Sequence, residues 1–473
     1  MGGNPGVERP AGWQLGIAMS FSPESLCRHL LAHPRPAGYA VAYSGGLDSH
    51  VLLDALARLR ARLGVPVAAV HVNHGLQAAA NDWQTHCAAV CHALCVLLTI
   101  LPVDASAERG ESPEAAARVA RYRALAGWLP DGYCLLSAQH QDDQAETVLL
   151  QLVRGSGVHG LAAMPEYSEF GHGSLLRPLL TNTRDELRQY AQAQQLRWVE
   201  DPSNDNTAFT RNFLRHQVLD SLRERWPQVS SSLLRSAANQ AEAAQLLDEL
   251  ADADLATLDG GGGTLLVPAL AQLAPARQRN ALRRWLRGAT GTVPSRAVLV
   301  RITHDMLTSR LDAGPCVRWG DFELRRYRTR LYLLHQDISR EPVHSPLHWS
   351  LDGPLALPGD GGVLVAVPGQ GQGIRQNRLA SGGVQVGWRK GGERCRPVGR
   401  NSHHELRKLF QECGIPPWER SRIPLIFIDG ALAAIPGLWV CEPFQAQAQE
   451  AGVQIYWQKP LAGDASARMT HPE

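Results

Sequence analysis

Short apolar runs and amphipathic stretches alternate along the first third of the chain. The runs are Tyr39–Tyr43, Val65–Val72, Val96–Val103 and Tyr133–Ala138, and helical periodicity marks 48–62, 79–95, 113–129 and 142–153. Strand and helix alternating at this spacing predict right-handed crossover units and a parallel sheet. The strands are almost continuously apolar, as expected where both faces of a sheet are covered. Ser112 followed by Pro113 marks one helix start. Past residue 227 the pattern changes. Residues 229–256, 268–288 and 294–309 have helical periodicity, with a Gly260–Gly263 turn between the first two, and 315–319, 322–326 and 330–335 read as strands. Residues 336–380 are rich in Pro and Gly and fit a linker or a small β module, and strand, helix and strand signals restart over 384–457.

The expected architecture is therefore α/β. A Rossmann-like parallel sheet spans 19–226, a mostly helical domain 227–335, the linker or β module 336–380, and a small α+β domain 381–459. Residues 1–18 have no sustained periodicity and lack the basic start and apolar core of a signal peptide, so a disordered extension is expected; 460–473 are expected to form a flexible tail.

Composition narrows the class. At 473 residues, 44% hydrophobic and 19% charged, the chain is not disordered, collagen-like or coiled-coil. No apolar run reaches the roughly 18 residues of a membrane span. Nine Cys in no secreted framework suggest reduced thiols and a cytoplasmic location. The net charge of +2 announces no nucleic-acid partner, and Arg supplies all but Lys390, Lys408 and Lys459 of the 47 basic residues, which coding bias explains better than phosphate recognition. From Val384 to Gly430, however, nine basic residues face five acidic ones, a local excess of four.

The most informative residues are Ser44-Gly45-Gly46-Leu47-Asp48-Ser49, between the first strand and its helix. The glycines let backbone N–H groups converge on a phosphate, the helix N-terminus adds positive potential, and Ser44 and Ser49 offer hydroxyls. Asp48 would repel a bare phosphate, so its fitting task is to hold a magnesium ion. A ligand-free glycine turn and a hydrolase nucleophile elbow are the competing readings, and no oxyanion loop precedes the strand to support the latter.

His71 and His74 close the second strand. Cys87, Cys91 and Cys95, with His86 and His92 beside them, form a helical stripe that reads as a buried small face, with a metal or cluster site as the alternative. Glu114, Arg118, Arg121 and Tyr122 place two guanidiniums one turn apart: a solvated face, or a phosphate clamp. His140, Asp143 and Glu146 follow the fourth strand, where ligands bind in such sheets. The carboxylates could receive an ammonium group or a metal; helix capping by Asp142 or Asp143 is the simpler alternative.

Ser44–Ser49 matches the Ser-Gly-Gly-x-Asp-Ser signature of the PP-loop ATP pyrophosphatases, which cleave ATP between the α- and β-phosphates and adenylate a substrate. Further motifs follow: Arg154-Gly155-Ser156-Gly157, Arg177-Pro178-Leu179-Leu180, Trp198 to Asn206, Arg211-Asn212-Phe213-Leu214-Arg215, Trp388 to Arg394, Leu406 to Glu412 and Gly414 to Arg420. In this order they closely resemble the bacterial tRNA(Ile)-lysidine synthetase family, from about residue 38 to 445. That resemblance implies a ligase forming carbon–nitrogen bonds, with ATP as substrate, Mg2+, L-lysine and the CAU-anticodon tRNA(Ile) as partners, and lysidine, AMP and pyrophosphate as products. Another PP-loop tRNA-modifying or amidating enzyme, or a noncatalytic RNA-binding protein, is the alternative, and a homodimer is left open. Carried onto this chain, Ser44, Gly45, Gly46, Leu47, Asp48 and Ser49 bind ATP, with Asp48 the metal ligand. Arg118 and Arg121 contact phosphates or adenylate, and His140 lines the site. Asp143 and Glu146 handle lysine or the second proton transfer. Arg211 and Arg215 face the anticodon stem, while the helix Ala276–Arg287 and the basic residues Arg389, Arg394 and Lys408 contact RNA backbone.

Overall fold

The computed structural model describes residues 21–73, 80–104, 113–202, 206–310, 313–336, 345–359, 361–379 and 383–459. The expected extension 1–18, tail 460–473, Ser112 cap, His74 and the side chain of Glu114 lie outside them. Two compact units divide the chain, one up to Glu249 and one from Leu250.

In the first unit, α1 (Pro23–Leu31) opens on a capping box in which Ser22 and Ser25 bond each other's backbone amides. Then β1 (Gly38–Ala42), α2 (Leu47–Leu63), β2 (Val67–Asn73), α3 (Ala80–Ala93), β3 (Leu97–Pro102), α4 (Pro113–Trp128), β4 (Tyr133–Leu136) and α5 (Gln141–Val153) alternate as the periodicity predicted. Beyond α6 (Val158–Leu161), a hairpin absent from the sequence reading, β5 (Tyr167–Phe170) and β6 (Gly173–Leu176), extends the sheet, followed by α7 (Arg184–Ala193). The strand order is β3-β2-β1-β4-β6-β5, parallel except for the edge strand β5.

That order positions the site. The chain leaves β1 toward β2 and β3 on one side, then returns to add β4 and β6 on the other. The carboxyl ends of β1 and β4 therefore border the crevice where crossovers diverge, which no helix can fill. α2 is buried along most of its length: Val51, Leu52, Leu53, Ala55 and Leu56 are wholly enclosed. Even Asp54 is buried there, and its carboxylate accepts from Tyr190 Oη at 2.7 Å and Arg58 Nε at 2.8 Å, as a buried charge requires.

A rod follows from Thr210–Phe213 through the π-helical Leu214–Leu219 to Asp220–Arg225, and then the helix Val229–Leu258. The expected boundary at 226/227 marks where this helix begins, not where compactness divides. From its first turn as far as Asp248 it bonds within the first unit: Ser230 Oγ donates to Asp142 at 3.2 Å, and His159 lies 2.9 Å from Asp248.

The second unit begins with an antiparallel sheet, Leu265–Leu266, Arg330–His335, Phe322–Tyr327 and Cys316–Trp319 in spatial order, packed on helices Pro275–Thr290 and Arg296–Thr308 around Leu282, Leu286, Ile302 and Met306. The helix expected over 268–288 is broken into Val267–Gln272 and Pro275–Thr290. Pro275 has no N–H to continue a helix and holds Ala274 extended, at ψ 147°. The stretch 336–380 is no linker where it is described. Leu347–Trp349 pairs with Val384–Gly387, and Val363–Gln370 pairs along its full length with Ala451–Gln458. Its strands thus belong to the same sheets as residues 384–458, and a boundary at 380/381 would cut through both.

Candidate active site

The loop after β1 is shaped by Gly45, whose φ of +86° is left-handed and whose absent Cβ would stand 3.0 Å from Cys87 Sγ. Val199 N donates to Gly45 O at 3.0 Å and anchors the turn from outside. Inside it, Ser44 and Ser49 bring their hydroxyls to 2.9 Å, and Ser49 Oγ also receives Ser44 N and donates to Gly46 O. Gly46 is the N-cap of α2 and supplies no side-chain cap, so the amides of a 17-residue helix open on the crevice.

Asp48 stands in the first turn of α2. Its Oδ1 is buried without a hydrogen-bond partner, while Oδ2 lies 3.7 Å from His140 Nε2. Burial raises its carboxyl above the ordinary 3.8, against the pull of His140 and with the repulsion of Asp143. A buried carboxylate oxygen without a partner, in a cleft beside an open helix N-terminus, has the chemistry of a cation ligand.

His140 caps α5. Its Nδ1 accepts from Asp142 N at 3.2 Å, which leaves Nε2 facing Asp48 at 3.7 Å and Asp143 at 3.5 Å. Asp143 serves two masters: Oδ2 accepts from His140 N at 3.0 Å, completing a capping box, and Oδ1 receives Arg215 at 3.1 Å. Capping and a place in the cleft lining therefore coexist at this residue.

Glu146 departs from the expectation. It is 0% exposed, and Oε1 accepts from Arg215 Nε at 2.6 Å. One turn behind Asp143, it is not among the residues that line the cleft: Oε1 holds Arg215, and Oε2 is buried without a hydrogen-bond partner. Burial pushes its carboxyl up, and Arg215 opposes that rise. Arg215 in turn does not present its guanidinium as an outward RNA contact. The π-helical turn Leu214–Leu219 rotates it onto Asp143 and Glu146, and its remaining surface lines the cleft beside Arg211, whose Nη2 is 3.5 Å from Thr147 Oγ1. Such π segments recur at functional sites.

The opposite wall comes from α4. Arg118 and Arg121 both line the cleft, and Arg118 lies 5.0 Å over the ring of Tyr122. Burial alone would raise the Tyr122 hydroxyl, but Arg118 and the buried Arg177 outweigh it and lower its pKa. The cleft encloses about 770 Å3. Arg184 and Arg188 of α7 also line it, and neither was singled out from sequence. The sequence reading drew no helix here; the spacing of Leu187, Tyr190 and Ala191, all buried on one face of α7, is the signal that could have drawn attention to them.

The cysteine stripe resolves as a buried face in part. Cys87 and Cys91 are buried, with burial pushing their thiols up to about 12 and about 11, while Cys95 is exposed past the helix end. Among the described residues this stripe gathers no set of three metal-capable groups. In the second unit, Arg394 and Lys408 are exposed, whereas Arg389 is half-buried with Nε 3.7 Å from Glu393. On the helix Pro275–Thr290, expected to face RNA, Arg277 is engaged by Asp254 and Arg284 by Asp252.

Comparison with known proteins adds an independent line. The PP-loop domain model matches residues 22–222, the TilS substrate binding domain 265–332 and the TilS substrate C-terminal domain 384–457. A tRNA(Ile)-lysidine synthase of Coxiella burnetii is 42% identical over 448 residues, covering 95% of this chain and 99% of that protein. Proteins of the same name from Methylococcus capsulatus and Alkalilimnicola ehrlichii are 44% and 46% identical, over 89% and 90% of this chain and 96% and 95% of their own lengths.

Proposed function

The chain belongs to the tRNA(Ile)-lysidine synthase family, and from that membership and the cleft we propose how it joins lysine to its tRNA. It is a ligase that consumes ATP to form lysidine on tRNA(Ile). The reaction has two displacements. The carbon-2 oxygen of the wobble cytidine attacks the α-phosphorus of ATP, and pyrophosphate leaves. An amino group of lysine then attacks carbon 2, and AMP leaves with the oxygen that adenylation made a good leaving group. The cytidine must leave the anticodon stack for either step.

The observation that carries this reading is the convergence, at one crevice, of an uncapped helix N-terminus, the unpartnered Asp48 carboxylate and the Arg118–Arg121 wall. Ser44, Gly45, Gly46, Leu47 and Ser49 cradle the phosphates. Asp48 would hold Mg2+, whose charge would offset that of the phosphates. Arg118 and Arg121 receive the pyrophosphate as its charge develops. Asp143 meets the lysine ammonium and accepts a proton from it, because an ammonium has no lone pair with which to attack. His140 stands between Asp48 and Asp143 and separates two like charges. Glu146 acts one step back, by fixing Arg215. Arg394 and Lys408 bind RNA backbone from the second unit.

Incubating the protein with labelled lysine, ATP and CAU-anticodon tRNA(Ile) tests this. Label is expected in that tRNA with stoichiometric AMP and pyrophosphate. Pyrophosphate release that needs neither lysine nor this tRNA would overturn it.

A further inference from the structure

Outside the cleft, one cluster in the first unit has no part in the chemistry above. His29 lies in the last turn of α1, His33 follows just beyond the Ala32 C-cap, and Glu166 precedes β5. Their ligand atoms all lie within 4.8 Å of one another, the one such set of three among the described residues. Glu166 Oε1 is 2.7 Å from His29 Nε2 and 3.6 Å from His33 Nε2. His29 Nε2 is nevertheless buried without a well-aligned hydrogen bond.

We propose that His29, His33 and Glu166 form a binding site for a divalent transition-metal ion, with Zn2+ the fitting occupant. Two imidazoles and one carboxylate are a zinc donor set. Donors around a four-coordinate zinc stand roughly 3.3 Å apart, given bonds of about 2.0–2.1 Å, so the observed separations need only small side-chain rotations. The side chains are 29%, 23% and 25% exposed, enough to leave a fourth position for water and too little for free hydration. Three residues separate the histidines, and their ring centroids lie 5.4 Å apart at the end of α1. The carbonyl end of α1 adds potential favourable to a cation.

The ligands are held before any metal arrives. The His33 ring stacks on Tyr167 at 5.5 Å and 13°. Glu166 O accepts from Arg177 N at 2.9 Å, Pro165 O from Arg177 Nη1 at 2.7 Å, and Met164 exchanges two bonds with Gln144 of α5. A metal here ties α1 to the segment that fixes Gln144 and Arg177. It acts as a brace, distinct from the cation expected at Asp48.

The test uses the full chain, stripped with chelator and then titrated with Zn2+ against a chromophoric competitor. One tight equivalent is expected, lost in His33→Gln and in Glu166→Gln. Saturating Zn2+ should raise the melting temperature of the unsubstituted protein by roughly 5 °C at a hundredfold excess over Kd and leave both variants unmoved. Co2+ loading of the unsubstituted protein should give a tetrahedral d–d spectrum, a readout that does not depend on how the variants fold. The same tight equivalent in protein and variants, or no tetrahedral cobalt signal, would overturn the assignment.

Discussion

Arg215 and Lys408 are both basic residues that sequence alone offers as RNA contacts, and the structure puts them in opposite surroundings. Arg215 is 21% exposed and committed to Asp143 and Glu146. Lys408 stands exposed on the short helix Leu406–Glu412. In the first setting water is largely gone, so removing one partner strands a charge and the cost is several kcal/mol. In the second, water and salt screen the charge, and its effect appears through counterions displaced from RNA. Cleft substitutions should therefore change turnover or stability with little salt dependence, and substitutions in the C-terminal module should change affinity in a salt-dependent way.

The hardest test of that contrast is Asp48→Asn. Pyrophosphate release is expected to fall about 1000-fold, on the scale of losing a preorganised electrostatic group, at every salt concentration. Stability should move the other way. Burial raises the Asp48 carboxyl above 3.8, so folding favours its protonated form. Its contribution is present below 3.8 and is lost as pH rises through the folded value. Ligand-free Asp48→Asn should thus melt no lower than the unsubstituted protein at pH 7, and its stability should fall less steeply between pH 4 and pH 7. A lower melting temperature at pH 7 would return Asp48 to a structural role.

Glu146→Gln removes the wholly buried partner and leaves Arg215 with Asp143 alone. We expect about 3 kcal/mol of destabilisation in urea unfolding, the range for a broken buried pair. Replacing Arg215 with Met as well should restore part of that stability without restoring lysine transfer. Activity retained in the double variant would remove the pair from the positioning role.

How much of this was legible differs from element to element. The strands and helices up to Val153 carry their own periodicity, and each one expected there was found within a few residues. The hairpin β5–β6 was missed because two four-residue strands, with Glu169 and the turn Gly171-His172-Gly173 inside them, show no sustained alternation. Asp48 stood out as a candidate because the chemistry that suggests it is local to one loop. The partnership of Arg215 with Glu146 could not, since 69 residues separate them and a π-helical turn decides where the guanidinium points. Over 336–380 a linker and a small β module could not be told apart, because Pro and Gly hide strands whose partners lie as far off as Ala451–Gln458.

Asp143→Asn sharpens the contrast within the cleft. It keeps the cap, because an amide oxygen can still accept from His140 N, and it loses the charge facing lysine. Lysine transfer should fall about 100-fold while lysine-independent adenylation, followed as pyrophosphate release in a single turnover, falls far less. Equal losses in both steps would make Asp143 a helix cap and nothing more.

The smallest effect separates residues within the C-terminal module. Each phosphate contact contributes about 0.7 to 0.9 to the slope of log K against log salt. Lys408→Ala should lower the slope of tRNA binding by about 0.7, and Arg394→Ala by a similar amount, since both side chains are exposed. Arg389 differs. Its guanidinium is half-buried, with Nε 3.7 Å from Glu393, and Glu393 also accepts from the backbone amides of Lys390 and Gly391. A charge already neutralised by that carboxylate displaces few counterions, so Arg389→Ala should leave the slope nearly unchanged while loosening the Lys390–Glu393 turn. Binding curves for the three single variants at two salt concentrations decide the matter. Equal slopes for Lys408→Ala, Arg394→Ala and the unsubstituted protein would take this face off the RNA. A full-sized slope change for Arg389→Ala would mean that RNA pulls its guanidinium away from Glu393.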